Sequence, residues 1–257
     1  MQSQKEIKAS FKLLVIASLL TVVLWFIPFA GVITYPIVLF STLIHEAGHA
    51  IAALLTFGSV ERITMDWNGN GLTLARVAWK IPYISAGYVS TMLYGASLLL
   101  FLRRERNART AAICTGVLLL LITIFFAGNI VAWLTGLFFG VGCLALALKG
   151  KPKLTHFLMS FLAVQCVLNA FYELRVLLFL SAYDSRIPND AVFMSEATGG
   201  FIPAVVWAIG WSLLAVAMLV GTLVVYYRSL RRRAEAVEMQ LPTLLTDHSA
   251  NVSQPHV

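Results

Sequence analysis

LFSTLIHEAGHAIAALLTF, residues 39–57, would read as an ordinary membrane-spanning helix but for three residues at its centre. The apolar run extends over about 37–57, so His45 lies roughly 12 Å along a helix about 30 Å long. A charge at that depth costs on the order of 2.5–3.5 kcal/mol on insertion scales, and ionisable groups there are functional by default. In a helix, residues i and i+4 share a face, so His45 and His49 can grip one metal ion from the same side. Glu46 points about 100° away around the axis, out of place as a third ligand but within reach of a water on that metal. Zinc fits best, because imidazole is a preferred ligand and an open position keeps a water. Zinc acidifies that water and Glu46 takes its proton, which is peptide-bond hydrolysis by the H-E-x-x-H chemistry. The plainer alternative is three polar residues hydrogen-bonded in a helix seam. It leaves unexplained why they fall at the one spacing that builds a catalytic zinc site.

The rest of the chain makes lipid the natural surroundings. Of 257 residues, 59% are hydrophobic and 12% charged, too little charge to cover a soluble domain of this length. Apolar segments over about 12–33, 37–57, 81–102, 110–127, 129–148, 155–180 and 201–227 are each long enough to span a bilayer. The expected fold class is an all-α polytopic membrane protein with about seven transmembrane helices. The first segment runs into the second without a small-residue cleavage site and reads as a retained anchor. Residues 1–227 form the membrane domain. Residues 228–257, basic and then polar, read as a disordered cytoplasmic tail.

The net charge of +7 does not point to nucleic acid, since the basic residues gather at the ends of apolar segments. Counting alternate loops puts eleven on one side, which should be cytoplasmic: Arg103, Arg104, Arg106, Arg109, Lys149, Lys151, Lys153, Arg228 and Arg231 to Arg233. The same count puts Lys5, Lys8 and Lys12 on the other. Either the N-terminus is translocated, or the region 58–80 dips into the membrane and the count there is off by one crossing. Cys114, Cys143 and Cys166 lie within apolar segments and read as packing residues. Small residues four apart, Gly48 and Ala52, then Gly87, Thr91 and Gly95, then Gly136 and Gly140, read as sites of close helix approach.

Two connections are more than linkers. In SVERITMDWNGNGLTLARVAWK, residues 59–80, the run Asn68-Gly69-Asn70-Gly71 is a strong turn signal flanked by β-formers at near-alternate positions, and it predicts a β-hairpin between the second and third helices. The other, residues 181–200, carries Asp184, Asp190 and Glu196. A third metal ligand must reach the membrane interior, and on chemistry alone Glu173, Asp184 and Asp190 stand equal. Of the polar residues left within the spans, Asn129 reads as interhelical hydrogen bonding. Asn169, one turn before Glu173, reads equally as that or as a contact to the substrate carbonyl or developing oxyanion.

HEAGHAIAALLTFG, residues 45–58, on an early membrane helix followed by a polar hairpin resembles the site-2 protease class of intramembrane zinc metallopeptidases, family M50. Within it the likeness is to the M50B-like subgroup of small bacterial membrane proteins. A weaker likeness runs over 171–211, in Asp190-Ala191, Thr198-Gly199, Ile202-Pro203 and a tryptophan. The resemblance implies a third ligand from an aspartate on a later helix. Site-2 proteases carry it in a Leu-Asp-Gly motif that this chain lacks, and the M50B-like pattern places it at Asp190, with Asp184 as the alternative. Asn189 or Asp190 would then start the last helix. The resemblance also implies that a strand of the hairpin pairs with an extended substrate, and that the protein sits in a bacterial cytoplasmic membrane.

The expected function is therefore zinc-dependent cleavage of membrane-embedded or membrane-proximal peptides, with His45, His49 and Asp190 as ligands, Glu46 as general base, Zn2+ as cofactor, and a membrane protein or peptide and the bilayer as partners. Two rivals are an inactive pseudo-protease that holds membrane clients, and a transporter using the histidines for metal transit. The sequence names no substrate or regulatory partner.

Overall fold

The computed structural model describes Ile16, Leu19, residues 30–183 and residues 187–252, with side chains described at Ile16 and Leu19, over 34–183 and 187–229, and at Arg231. Most of the expected first span, 12–33, and Asp184 lie outside the described residues. The fold is mostly helical with one small two-stranded sheet. Among the described residues six helices are long and apolar enough to cross a membrane: Thr34–Leu55, Lys80–Phe101, Glu105–Phe126, Ile130–Lys149, Pro152–Tyr183 and Ala204–Ser229.

Helix α1, Ala30–Leu55, runs through Pro36, so the described part of the expected first segment and the second form one helix. Proline there forgoes one backbone hydrogen bond, a loss neighbouring groups make good in membrane helices. Strands β1, Ser59–Met65, and β2, Gly71–Arg76, pair antiparallel with an irregularity between Val60 and Arg62. In the loop between them Gly69 takes φ +91°, a left-handed conformation that glycine adopts without strain, and Asn70 N–H donates to Asn68 Oδ1 at 3.0 Å.

The hairpin folds back along α1. The Tyr35 hydroxyl donates to the Trp67 carbonyl at 2.5 Å, the Thr42 hydroxyl to the Gly69 carbonyl at 2.8 Å, and Gly58 N–H to Ala53 O at 2.8 Å. Residues 58–80 thus dip beside α1 and return to the end they left. Helix α2, Lys80–Phe101, then runs antiparallel to α1, with His49 against Tyr83 and Ile44 against Ser90. The hairpin adds no crossing, and the side of the N-terminal lysines belongs to residues outside those described.

Helices α3, Ala108–Phe126, and α4, Ile130–Lys149, form a tight antiparallel pair. A methyl on Gly116 would sit 2.8 Å from the Gly140 carbonyl, which is why small residues stand at the crossing. The connection between them seals β1. Gly128 N–H donates to Ile63 O at 2.7 Å; Asn129 Nδ2 donates to Met65 O at 2.7 Å, and Asn129 Oδ1 accepts from Met65 N–H at 3.2 Å and from Ala132 N–H at 3.1 Å. One amide side chain therefore caps α4 and pairs with a strand edge.

Helix α5, Pro152–Tyr183, packs on α2, where Gly95 admits Val167 and the Ala163 carbonyl. Buried His156 binds the Leu102 carbonyl through Nε2 at 2.7 Å, tying the start of α5 to the end of α2. The expectation that Asn189 or Asp190 starts the last helix is corrected. Asn189 instead caps a separate eight-residue helix α6, Asp190–Ala197, accepting from Val192 N–H at 3.1 Å. Gly199 and Gly200, at φ +71° and +76°, end it, and Pro203 precedes α7, Ala204–Val252. α7 continues well beyond 227, into the stretch expected to be disordered. Arg, Ala, Glu, Met and Gln, which dominate 228–240, are good helix formers and carry the helix past the apolar span.

Candidate metal centre

Within α1 the four-residue step puts both imidazoles on one face, and His45 Nε2 lies 3.1 Å from His49 Nε2. Helix α6 returns into the bundle and brings Asp190 Oδ2 to 3.2 Å from His45 Nε2 and 3.5 Å from His49 Nε2. Among the described residues these three form the group of histidine, cysteine and acidic side chains able to hold a metal ion. Glu173 stands apart from it, and Asp184 lies outside the described residues.

The triangle has the dimensions of a coordination shell. Donors about 2.0–2.1 Å from a tetrahedral ion stand about 3.3–3.4 Å from one another. The chemistry of the donors agrees. His49 Nδ1 lies 2.7 Å from the Tyr83 carbonyl, which can only accept, so Nδ1 carries the proton and Nε2 turns a lone pair inward. Two imidazole nitrogens and a carboxylate oxygen converging at this range need a positive centre between them, a shared proton or a metal ion. Burial pushes the Asp190 carboxyl up, but hydrogen bonding to His45 and His49, and their charge, outweigh it and hold the group below the usual carboxylate range. The residues fit a zinc-type ion.

Close-fitting neighbours fix the ligands. Tyr88 meets the His45 ring edge-on at 4.6 Å and stacks on Trp211 at 5.4 Å, and Trp211 Nε1 donates to Ser85 Oγ at 3.3 Å. A methyl on Gly87 would run into the His45 imidazole, so only glycine lets α2 approach α1 this closely.

Glu46 is 4% exposed and turns toward the hairpin. The Thr73 hydroxyl donates to its Oε2 at 2.6 Å, and the Tyr83 hydroxyl donates to the Thr73 carbonyl at 2.6 Å. A methyl on Gly71 would come within 2.5 Å of Glu46 Oε1. Asn169 Nδ2 donates to Glu173 Oε1 at 2.6 Å. Asn129 holds β1. Sequence reasoning missed Thr73, Tyr83 and Tyr88. Gly71, Thr73 and Ala75, small residues at alternate positions of β2, were the available signal that this face packs closely on something.

Among the described residues, six helices apolar enough to cross a membrane and a His–His–Asp cluster between α1 and α6 point to an integral membrane protein with a candidate metal centre. The Peptidase M50B-like family model matches residues 14–222, and the chain belongs to that family. The chain matches no curated protein and no solved structure.

Proposed function

We propose that this protein is an intramembrane zinc metallopeptidase that cleaves membrane-embedded or membrane-proximal peptides in a bacterial cytoplasmic membrane. The observation that carries the reading is the convergence of His45 Nε2, His49 Nε2 and Asp190 Oδ2 within 3.5 Å of one another, beside a buried glutamate and in a chain of a peptidase family. These three residues would hold the ion. Zinc, when bound, polarises a carbonyl and brings the pKa of water to about 7.

Glu46 removes a proton from the attacking water and later delivers it to the leaving amine. Thr73 holds Oε2, which directs the carboxylate and biases proton traffic toward the other oxygen, beside Gly71. The buried setting keeps bulk water out, so each of these hydrogen bonds acts in a low dielectric.

The hairpin presents the substrate. Cleavage needs an extended peptide, and strand addition binds one through its main chain without demanding a side-chain sequence. Gly128 and Asn129 already occupy the outward backbone groups of Ile63 and Met65 on β1. β2, which touches Glu46, is the strand that receives the peptide, and the Tyr83 hydroxyl has to release the Thr73 carbonyl for the peptide to pair there.

The test is zinc content of the detergent-purified protein beside His49→Ala and Asp190→Ala, with cleavage of a membrane substrate by Glu46→Gln. About one zinc per chain, lost in the first two variants, and a zinc-loaded Glu46→Gln that does not cut are expected. Zinc absent from folded wild type, even after reloading, sinks the metal centre. Zinc present with wild-type cleavage by Glu46→Gln sinks the mechanism, and zinc present with no cleavage by wild type favours the client-holding pseudo-protease.

A further inference from the structure

Glu173 is a carboxylate in the middle of a membrane helix that the chemistry above does not use. It lies on α5, half-buried, and its Oε2 is buried without a hydrogen-bond partner. Facing it is a second orphan: His45 Nδ1 is likewise buried and unpartnered. The two atoms stand 3.8 Å apart. A lone buried carboxylate oxygen and a lone buried ring nitrogen are each costly in a low dielectric, and a proton on the nitrogen satisfies both.

The carboxylate is aimed. Its other oxygen, Oε1, accepts from Asn169 Nδ2 at 2.6 Å, one turn earlier on the same helix. That bond holds Oε1, and Oε2 is the oxygen that faces His45 Nδ1. The ring nitrogens of His45 face different partners: Nε2 belongs to the cluster with His49 and Asp190, Nδ1 to Glu173. A carboxylate on the Nδ1 side cannot share an ion held at Nε2, which removes Glu173 from the ligand candidates and gives it another task.

We propose that Glu173 is a positioning residue for the metal centre: closing from 3.8 Å, its Oε2 accepts a hydrogen bond from His45 Nδ1–H, which fixes the ring tautomer and turns the Nε2 lone pair toward His49 and Asp190. Asn169 serves the same end by holding the carboxylate. The two imidazoles are then backed differently, His49 by the neutral carbonyl of Tyr83 and His45 by a negative charge. A charged acceptor makes the imidazole a stronger donor to metal, so His45 is the tighter of the two ligands.

This inference rests on the metal reading, and the test separates the two. Zinc affinity is measured by competition with a chromophoric chelator for wild type, Glu173→Gln, Glu173→Asp and Asn169→Leu in detergent. The visible spectrum of the cobalt-loaded forms and the melting temperature of the metal-free forms are recorded alongside. In Glu173→Gln an amide that satisfies Asn169 turns its NH2 toward Nδ1, donor against donor. The expected result is a loss of about 10–100-fold in zinc affinity, an altered cobalt spectrum, and a metal-free melting temperature close to wild type. Glu173→Asp keeps the charge with a shorter reach and recovers part of the affinity; if Glu173→Gln fails to fold, Glu173→Asp and Asn169→Leu make the comparison, each weaker for zinc than wild type. Wild-type zinc affinity and an unchanged cobalt spectrum in the folded Glu173 variants overturn the proposal. A wild type that takes up no zinc overturns the metal reading instead.

Discussion

The Thr73 hydroxyl lies 2.6 Å from Glu46 Oε2 and 3.0 Å from the Glu46 carbonyl oxygen, so a strand residue clasps both ends of the glutamate that stands between the two histidines. The contact joins the hairpin to the metal helix at the point where proton transfer is proposed. Thr73→Val keeps the shape and removes the hydroxyl. Hydrogen bonds to charged groups contribute about 1.5–3 kcal/mol, so peptide cleavage should fall by about 10–100-fold while zinc content stays at the wild-type level. A Thr73→Val protein that cleaves as fast as wild type would remove Thr73 from the mechanism.

Gly87 and Gly210 make a matched pair of tests. A methyl at Gly87 strikes the His45 imidazole, whereas one at Gly210 meets nothing within 4 Å. Overpacking a fitted site costs about 1–3 kcal/mol, and here the part that must yield is a ligand ring. Gly87→Ala should lower both zinc retention and thermal stability, and Gly210→Ala should leave both unchanged. Equal behaviour of the two variants would show that the α1–α2 approach does not set the His45 position.

Asn129 turns one side chain into three hydrogen bonds, two of them to the Met65 backbone. Asn129→Leu leaves a strand N–H and C=O unpaired where water is scarce, at about 1–3 kcal/mol for each group. Amide hydrogen exchange over residues 62–66 should speed up. Asn129→Asp keeps the acceptor for Met65 N–H and Ala132 N–H but sets a carboxylate oxygen against the Met65 carbonyl, so exchange there should also speed up. Unchanged exchange in Asn129→Leu would mean that the 127–129 connection does not hold the β1 edge.

Part of this architecture is legible in the sequence because it is local. The four-residue step from His45 to His49 fixes their shared face, the length of each apolar run fixes a helix, and Asn68-Gly69-Asn70-Gly71 fixes a turn. The remainder depends on where segments go after they leave a helix. Nothing in residues 59–76 says that the hairpin lies against α1, so Thr73 reads as one polar residue of an alternating strand until it meets Glu46. Asn189 signals a cap from sequence alone, but the two positive-φ glycines that end the helix after eight residues decide that it is a separate element. Glu173, Asp184 and Asp190 are chemically equal on paper. Only the return of α6 into the bundle separates Asp190 from Glu173, by placing them on opposite nitrogens of one imidazole.

The two ends of the bundle differ in charge, and the candidate metal centre sits toward the less basic one. The connection from α2 to α3 carries Arg103, Arg104 and Arg106, and it shares its end with the start of α5, since His156 binds the Leu102 carbonyl. Helix α6 and the α1–α2 end, where His49 meets Tyr83, lie opposite. An excess of Lys and Arg marks the cytoplasmic side of short loops, which puts Asp190 toward the far face. In a background lacking Cys114, Cys143 and Cys166, single cysteines at Asn107 and Gly199 should react with a membrane-impermeant maleimide from opposite sides, Asn107 only after the cytoplasmic face is opened. Labelling of both from one side would contradict the helix count between them, and labelling of Asn107 from outside intact cells would invert the protein in the membrane and turn the metal centre toward the cytoplasm.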